Sequence, residues 1–286
     1  MNTKIDLSII ILTHNNPVLL ETCICSIVAH TKAINYEIIV IANNCTDNTA
    51  EMVRKRFRGA AVIETETNEG FCQANNRGIK VARGEYLLLL NDDTEILDQA
   101  LDILVKFMRE NKNVGISGPL LLNPDGSPQR QGGLLGKKFW KAKRPTPCDF
   151  VIGAALIIRR ETLNQIGPLD EKLYFYNDDL DWCLSARKVG WKVYIVPEAK
   201  VIHYGGWSTK RTFSRKHFVE GFKGGLYFCK KHYGPVVFGI YKVLLLILLP
   251  IAIAFAFIGM LLFRGEFKEK VKAYLEVYRF VLSSPL

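Results

Sequence analysis

Five short apolar runs separated by helical patterns fill the first 120 residues of this chain. Leu7–Leu12, Glu37–Ala42, Ala61–Glu64, Tyr86–Leu90 and Val114–Ser117 have the length and content of buried strands. Between them, Pro17–His30, Thr46–Phe57, Gly70–Ala82 and Gln99–Glu110 carry the helical period. Pro17 suits a first helical turn, and Thr46 or Asp47 suits a cap. Such alternation buries its apolar surface in a sheet covered by helices on both faces. The predicted fold class is therefore α/β, with a mostly parallel sheet flanked by helices.

The rhythm breaks after Pro119. Asn123-Pro124-Asp125-Gly126 is a turn signal that suggests a hairpin, and Gly132–Pro147 reads as a loop. Regular patterns resume as a strand over Phe150–Arg159 and a short helix over Glu161–Ile166. A helix over Asp179–Val189 and strands over Lys192–Val196 and Val201–His203 follow. Phe213–His232 is a basic amphipathic helix, with Phe218, Phe222, Leu226 and Cys229 on one face, and Tyr233-Gly234-Pro235 ends it. The expected organisation is a catalytic α/β domain over 1–212 and a basic helical connector over 213–235. An apolar membrane segment over 236–263 and a basic amphipathic tail over 264–286 complete it.

Charge supports that division. Of the net +10, none arises in residues 1–199, whereas residues 200–286 hold 14 Lys and Arg against 4 Asp and Glu. Val243–Phe263 contains no charge, and as a helix its 21 residues would measure about 31 Å, close to a bilayer's hydrocarbon thickness. Basic residues beside such a run point to anionic lipid headgroups, and nucleic acid is not expected as a partner. Two ordinary surface helices are the alternative. Both flanks of the run are basic, which opposes a simple single pass, and Pro250 near its middle can break a helix. Transmembrane and re-entrant or in-plane arrangements thus stay open. Leu7–Leu12 is too short for a secretory signal. The seven cysteines are odd in number, lack a CxxC pair and read as reduced core thiols. The expected location is the cytoplasmic face of the cell membrane.

Four constellations carry chemistry. Asn91-Asp92-Asp93-Thr94 directly follows the apolar run Glu85–Leu90. Adjacent carboxylates at the end of a buried strand repel each other and lose hydration, so they call for a cation or many donors. Ligands of open α/β sheets bind at the carboxyl ends of strands. The stretch therefore reads as a site for a divalent metal carrying phosphates; capping of a helix that begins near Asp98 is the alternative. Thr13-His14-Asn15-Asn16 and Asn43-Asn44-Cys45-Thr46-Asp47 end the first two strands and suit a base and ribose, or are simply turns and caps. Asn68-Glu69-Gly70 opens a helix whose N–H groups can approach phosphate, with Arg77 to add charge. Asn177-Asp178-Asp179-Leu180-Asp181-Trp182 crowds three carboxylates. Crowding raises proton affinity, as a general base toward a hydroxyl requires; stabilisation at a helix N-terminus is the alternative. His203 ends a strand before Tyr204-Gly205-Gly206 and reads equally as a metal ligand or a structural histidine.

Five segments in order resemble the family-2 glycosyltransferases, inverting enzymes of GT-A fold, and within them the rhamnosyltransferase-like branch. They are SIIILTHNNPVLLETCICSI, ANNCTDNT, TNEGFCQANNRGIKVARGEYLLLLNDDTEI, FVIGAALIIRRETLNQIGPLDE and FYNDDLDWCLSARKVGWKVYIVPEAKVIHYGGWST, spread over residues 8–209. The resemblance implies that Asp93 binds Mg²⁺ or Mn²⁺ on a sugar-nucleotide diphosphate and that His203 completes the metal site. It implies that Asp179, paired with Asp178, is the catalytic base. Thr13, Asn15, Asn43, Asn68, Gly70, Asn76, Asn91 and Asp92 fall on the nucleotide-sugar pocket, and Gly153 and Ala154 near the acceptor. The family usually reads Asp-Asn at the end of the second strand, where this chain has Ala42-Asn43. That departure leaves the nucleotide open between dTDP and UDP.

The implied activity is metal-dependent, inverting transfer of a sugar, with rhamnose a candidate, from a nucleotide-diphosphate donor to a lipid-linked saccharide acceptor. Surface polysaccharide or cell-wall assembly is the setting such enzymes serve. A nucleotidyltransferase of similar fold is a second reading, but Thr13-His14-Asn15-Asn16-Pro17 is not its Gly- and Lys-rich loop. A non-catalytic membrane scaffold with a degenerate nucleotide pocket is a third. Ala42 favours it and the intact carboxylate pairs oppose it.

Overall fold

The computed structural model describes residues 4–133, 137–174, 176–205, 213–263 and 266–285. They form two compact units, Met1–Glu171 with Asp178–Gly205, and Lys172–Asn177 with Gly206–Leu286. Gly206 and Trp207, and the centre of the loop read between Gly132 and Pro147, lie outside the described residues.

The first unit runs β1 (Leu7–Thr13), α1 (Pro17–His30), β2 (Tyr36–Asn43), α2 (Thr49–Arg56), β3 (Ala60–Thr65), α3 (Gly70–Val81), β4 (Tyr86–Asn91), β5 (Thr94–Ile96) and α4 (Ala100–Glu110). It continues with β6 (Val114–Leu122), β7 (Thr146–Pro147), β8 (Ala155–Arg159), α5 (Arg160–Ile166), α6 (Asp178–Lys188) and β9 (Lys192–His203). The strands join in one sheet of order β3-β2-β1-β4-β8-β6-β9-β5, and β7 pairs with β9. Strands β3, β2, β1 and β4 are parallel, as the alternation requires. From β8 onward the sheet is mixed: β8 runs antiparallel to both β4 and β6, while β6 and β9 are parallel. The overall fold is α/β of GT-A type. Helices cover both faces, so Ile9, Ile10 and Ile11 on successive positions of β1 are all fully buried. Each such side chain contributes about 1.5–3 kcal/mol on burial.

Several local expectations change. The strand expected over Phe150–Arg159 begins only at Ala155. The helix expected near Asp98 begins at Ala100, and Thr94 opens β5 instead of capping it. The two last strands are one, β9, whose partner β6 pairs Pro119 with Val196 and then Leu120 with Lys200. Residues 197–199 form the bulge that the sequence presents as a break. The Asn123–Gly126 turn does close on itself, through Gly126 N–H to Asn123 O (2.9 Å) and Gln129 N–H to Leu121 O (2.8 Å).

The second unit holds α7 (Arg215–Phe263) and α8 (Glu266–Ser283). Helix α7 is interrupted at Gly234 (φ 77°, ψ 179°). The break thus falls at the expected Gly234-Pro235, and helical geometry continues through Pro250.

Candidate functional site

Asp92 and Asp93 form the tight turn between β4 and β5. Strand β5 pairs with the end of β9 so that Thr94 faces His203. That pairing brings the two expected metal-site residues together: His203 Nε2 lies 3.4 Å from Asp93 Oδ1. Asn91 Nδ2 also lies 3.4 Å from the same ring nitrogen. Asp92 points the other way, toward β1, where Thr13 donates to its Oδ2 at 2.6 Å. Burial raises the Asp92 carboxyl to about 6, helped by the neighbouring charge of Asp93 and opposed by the Thr13 bond.

Gln129, which no sequence motif marks, completes this corner. Its Nε2 donates to the His203 backbone carbonyl at 2.5 Å, which leaves its Oε1 facing His203 Nδ1 at 3.0 Å. An amide oxygen only accepts, so Nδ1 carries the ring proton in this arrangement and Nε2 presents its lone pair toward Asp93. A turn glutamine has no periodicity to mark it; its one clue is its place six residues after the Asn123-Pro124 turn start.

The second acidic cluster sits at the start of α6. Trp182, 1% exposed, anchors that helix and donates from Nε1 to Gly167 O at 3.0 Å. Asp178 is 8% exposed. Burial raises its carboxyl, and the charges of Asp179 and Asp181 raise it further. Burial also raises Asp179, but backbone N–H groups of Leu180 and Gly153 donate to it and hold it lower, at about 6.

Gly153 and Ala154 tie the two clusters together. Gly153 donates to Asp179, and a Cβ at this position would lie 3.6 Å from Asp178 Oδ2 and 3.2 Å from the Phe71 ring. The next residue, Ala154, accepts the Asn91 N–H through its carbonyl at 3.0 Å. The segment before β8 therefore spans from the Asp93 turn to the Asp178–Asp179 pair.

The remaining pocket residues gather at the carboxyl ends of β1, β2 and β3, but many are engaged by the chain itself. Asn43 is 3% exposed. Its Oδ1 accepts from Thr65 Oγ1 and the Glu69 N–H, each at 3.0 Å, and its Nδ2 donates to Asn68 Oδ1 at 3.2 Å. Asn68 Oδ1 also accepts the Gly70 N–H at 3.1 Å. These bonds shape the loop that lets Gly70, with φ 77°, open α3. Asn15, with φ 52°, accepts the Thr46 N–H at 2.8 Å. Asn76 faces elsewhere: it exchanges hydrogen bonds with the backbone of Leu169 at 2.9 and 3.0 Å. Arg77 pairs with Glu69 at 2.6 Å instead of standing free for a phosphate. Asn76 and Arg77 instead line a groove of about 600 Å³ with Leu163, Pro168 and Glu171, which none of the acidic site residues borders.

The donor chemistry fits a hard divalent ion. Among the described residues no group of three or more His, Cys, Asp and Glu side chains gathers to hold a metal. A carboxylate and one imidazole nitrogen 3.4 Å apart are instead a two-ligand set. Such a set leaves coordination positions for phosphate oxygens and water, the usual arrangement for Mg²⁺, and its imidazole also suits Mn²⁺.

Residues 8–167 match the model of glycosyl transferase family 2. The chain belongs to that family. The matched span includes the Asp93 turn, the Asn43 loop and the Gly153–Ala154 segment. The chain is 28% identical over 218 residues to the O-antigen biosynthesis protein RfbC of Myxococcus xanthus, covering 69% of this chain and 17% of that protein. It is 28% identical over 210 residues to the N-acetylglucosaminyl-diphospho-decaprenol L-rhamnosyltransferase of Mycobacterium tuberculosis, covering 61% of this chain and 68% of that one. In fold it is similar to the mannosyltransferase PcManGT of Pyrobaculum calidifontis in complex with GDP-Man and Mn²⁺. That likeness has a TM-score of 0.59 at 13% identity and covers 100% of this chain and 77% of the other.

Proposed function

We propose that this family-2 chain is an inverting glycosyltransferase. It moves a hexose, rhamnose first among the candidates, from a dTDP- or UDP-linked donor to a saccharide carried on a lipid diphosphate. The bridge from Asn91 through Ala154 and Gly153 to Asp179 carries this reading, because it holds a diphosphate-binding corner and a base in one site. Asp93 and His203 would hold Mg²⁺ or Mn²⁺, which when bound supplies positive charge to the diphosphate leaving group. Thr13 and Asp92, linked at 2.6 Å, would orient the donor sugar and ribose. Asn15, Asn43, Asn68 and Gly70 shape the nucleotide loop, with Asn43 acting as its internal brace. Asn76 acts on that site only through α3.

Asp179 removes the proton of the acceptor hydroxyl. The hydroxyl oxygen bonds to the anomeric carbon from the face opposite the leaving group, and the anomeric C–O bond breaks, its electron pair leaving with the nucleoside diphosphate. Asp178, kept neutral by burial, can donate a hydrogen bond beside the base. The relative named for diphospho-decaprenol chemistry supports an acceptor on a lipid carrier, and the cytoplasmic membrane face is the location proposed with it.

A panel of UDP- and dTDP-sugars tests this, with membrane extract as acceptor and Mg²⁺ or Mn²⁺ present. One donor should release nucleoside diphosphate in step with sugar incorporation. Pyrophosphate release would favour a nucleotidyltransferase. Donor binding without turnover under any condition would favour a scaffold.

A further inference from the structure

Within the second unit the interrupted α7 and α8 form three packed rods. Before Gly234, α7 folds back on its own second half: Tyr241 Oη lies 3.4 Å from the Cβ position of Gly225, and Lys230 Nζ sits 5.4 Å over the Phe238 ring. Going backward from one partner matches going forward along the other, so the two halves are antiparallel. The first half runs parallel to α8, since Lys270 lies over Phe213, Phe218 meets Tyr274 edge to face and Lys223 lies over Phe280, at 5.0–5.8 Å. The second half is antiparallel to α8. Gly259 has no room for a Cβ against the Phe267 ring, and Lys242 Nζ donates to Ser284 O at 2.5 Å.

This packing sets charge beside the whole apolar run. Between Phe267 and Ser284, opposite 259 and 242, α8 carries Lys268, Glu269, Lys270, Lys272, Glu276 and Arg279. Arg215 of the first half reaches Glu269 at 3.8 Å and Glu276 at 3.7 Å. Arg215, Glu269, Lys272 and Glu276 are about half exposed and Lys270 about a third. A perpendicular crossing of the bilayer by Val243–Phe263 would carry them to the depth of the hydrocarbon, where ionised side chains are rare and need an enclosed aqueous path. The apolar surface nevertheless needs a cover. Val236, Ile240, Ile247, Ile251, Phe255 and Leu262 form an exposed stripe along α7, each at least half exposed. A continuous apolar stripe of this length on one helix marks an interaction surface.

We infer that this unit lies in the plane of an anionic membrane surface, with the exposed stripe of α7 among the acyl chains and the charged side of α8 at the headgroups. This rests on the reading that the unit meets a membrane, and it replaces the crossing helix with an interfacial one. Charge complementarity selects the occupant: residues 200–286 carry 14 basic against 4 acidic groups, which suits anionic lipid.

The test uses the full chain reconstituted with sealed vesicles of phosphatidylglycerol and phosphatidylethanolamine. Tyr233→Cys and Lys268→Cys, both at exposed positions near opposite ends of the apolar rod, are labelled with a membrane-impermeant maleimide. The parent chain, whose exposed thiol is Cys25, supplies the background. The expected result is flotation that falls several-fold when phosphatidylcholine replaces the anionic lipid, with both new thiols labelled equally before detergent. Labelling of one only after detergent would overturn the in-plane arrangement in favour of a crossing or dipping helix, leaving membrane association intact. Absence of flotation, with the chain dimeric in solution, would assign the stripe to a second copy and overturn the membrane reading as well.

Discussion

Gln129 grips His203 twice, donating to its backbone carbonyl at 2.5 Å and facing its ring Nδ1 at 3.0 Å. The pair fixes the tautomer that turns Nε2 toward Asp93. Gln129→Leu should therefore weaken Mn²⁺ binding about 10- to 100-fold, the range for loss of a partner that orients a metal ligand. Gln129→Glu keeps an acceptor for Nδ1 and should retain more of the affinity. Electron paramagnetic resonance titration of Mn²⁺ in the presence of UDP or dTDP measures this directly. Equal affinity in all three proteins would make Gln129 a turn residue only.

Asp179 should set the acid limb of the pH profile. Burial raises its carboxyl to about 6, so the base is ionised above that value and protonated below it. Activity should fall roughly tenfold per pH unit as pH drops below about 6. The measurement is initial rate against pH at saturating donor, with circular dichroism to show that the fold persists over the range.

Asp178→Asn separates stability from chemistry. Burial and neighbouring charges raise the Asp178 carboxyl to about 8, so the folded chain keeps a proton that the unfolded chain releases above about 4. Folded stability must then fall as pH rises between those values, because ionising the group opposes its burial. The asparagine variant removes that charge. It should melt several degrees higher than the parent at pH 8 and by a smaller margin at pH 5, while transfer activity drops. Differential scanning fluorimetry at the two pH values decides it, and an equal melting shift at both would contradict the burial argument.

Asn43→Ala should loosen the loop before α3, since this one side chain accepts from Thr65 and the Glu69 N–H and donates to Asn68. Thr65 is buried and keeps its bond to Thr67 O, while Asn68 is exposed to water, so each lost bond costs about 0.5–1.5 kcal/mol. A higher donor KM should accompany a lower melting temperature, and nucleotide titration by calorimetry reports the first effect separately.

Much of this was legible in the residues, for reasons that also explain what was not. Helix α1 begins at Pro17 and ends at His30 as the sequence implies, because proline at the first turn and an apolar period mark both ends. Asp93 and His203 were both visible as strand-end residues with metal-binding chemistry. Their pairing depends on β5, a three-residue strand too short for a periodic signal. Asn43 looked like a base contact because a polar residue at a strand end suits either role; only its neighbours reveal the brace. Asn76 and Arg77 lie on α3, whose register turns them toward Leu169 and Glu69. The antiparallel strand β8 breaks a rhythm whose local pattern cannot specify strand direction.

Asp179→Asn separates the roles proposed for the two acidic clusters. With donor and metal saturating, single-turnover sugar transfer should fall about a thousandfold, within the range for general-base catalysis, while donor affinity stays within about twofold of the parent. Near-normal transfer by Asp179→Asn with the nucleotide sugar bound would contradict the assignment of the base, and with it the account of the site.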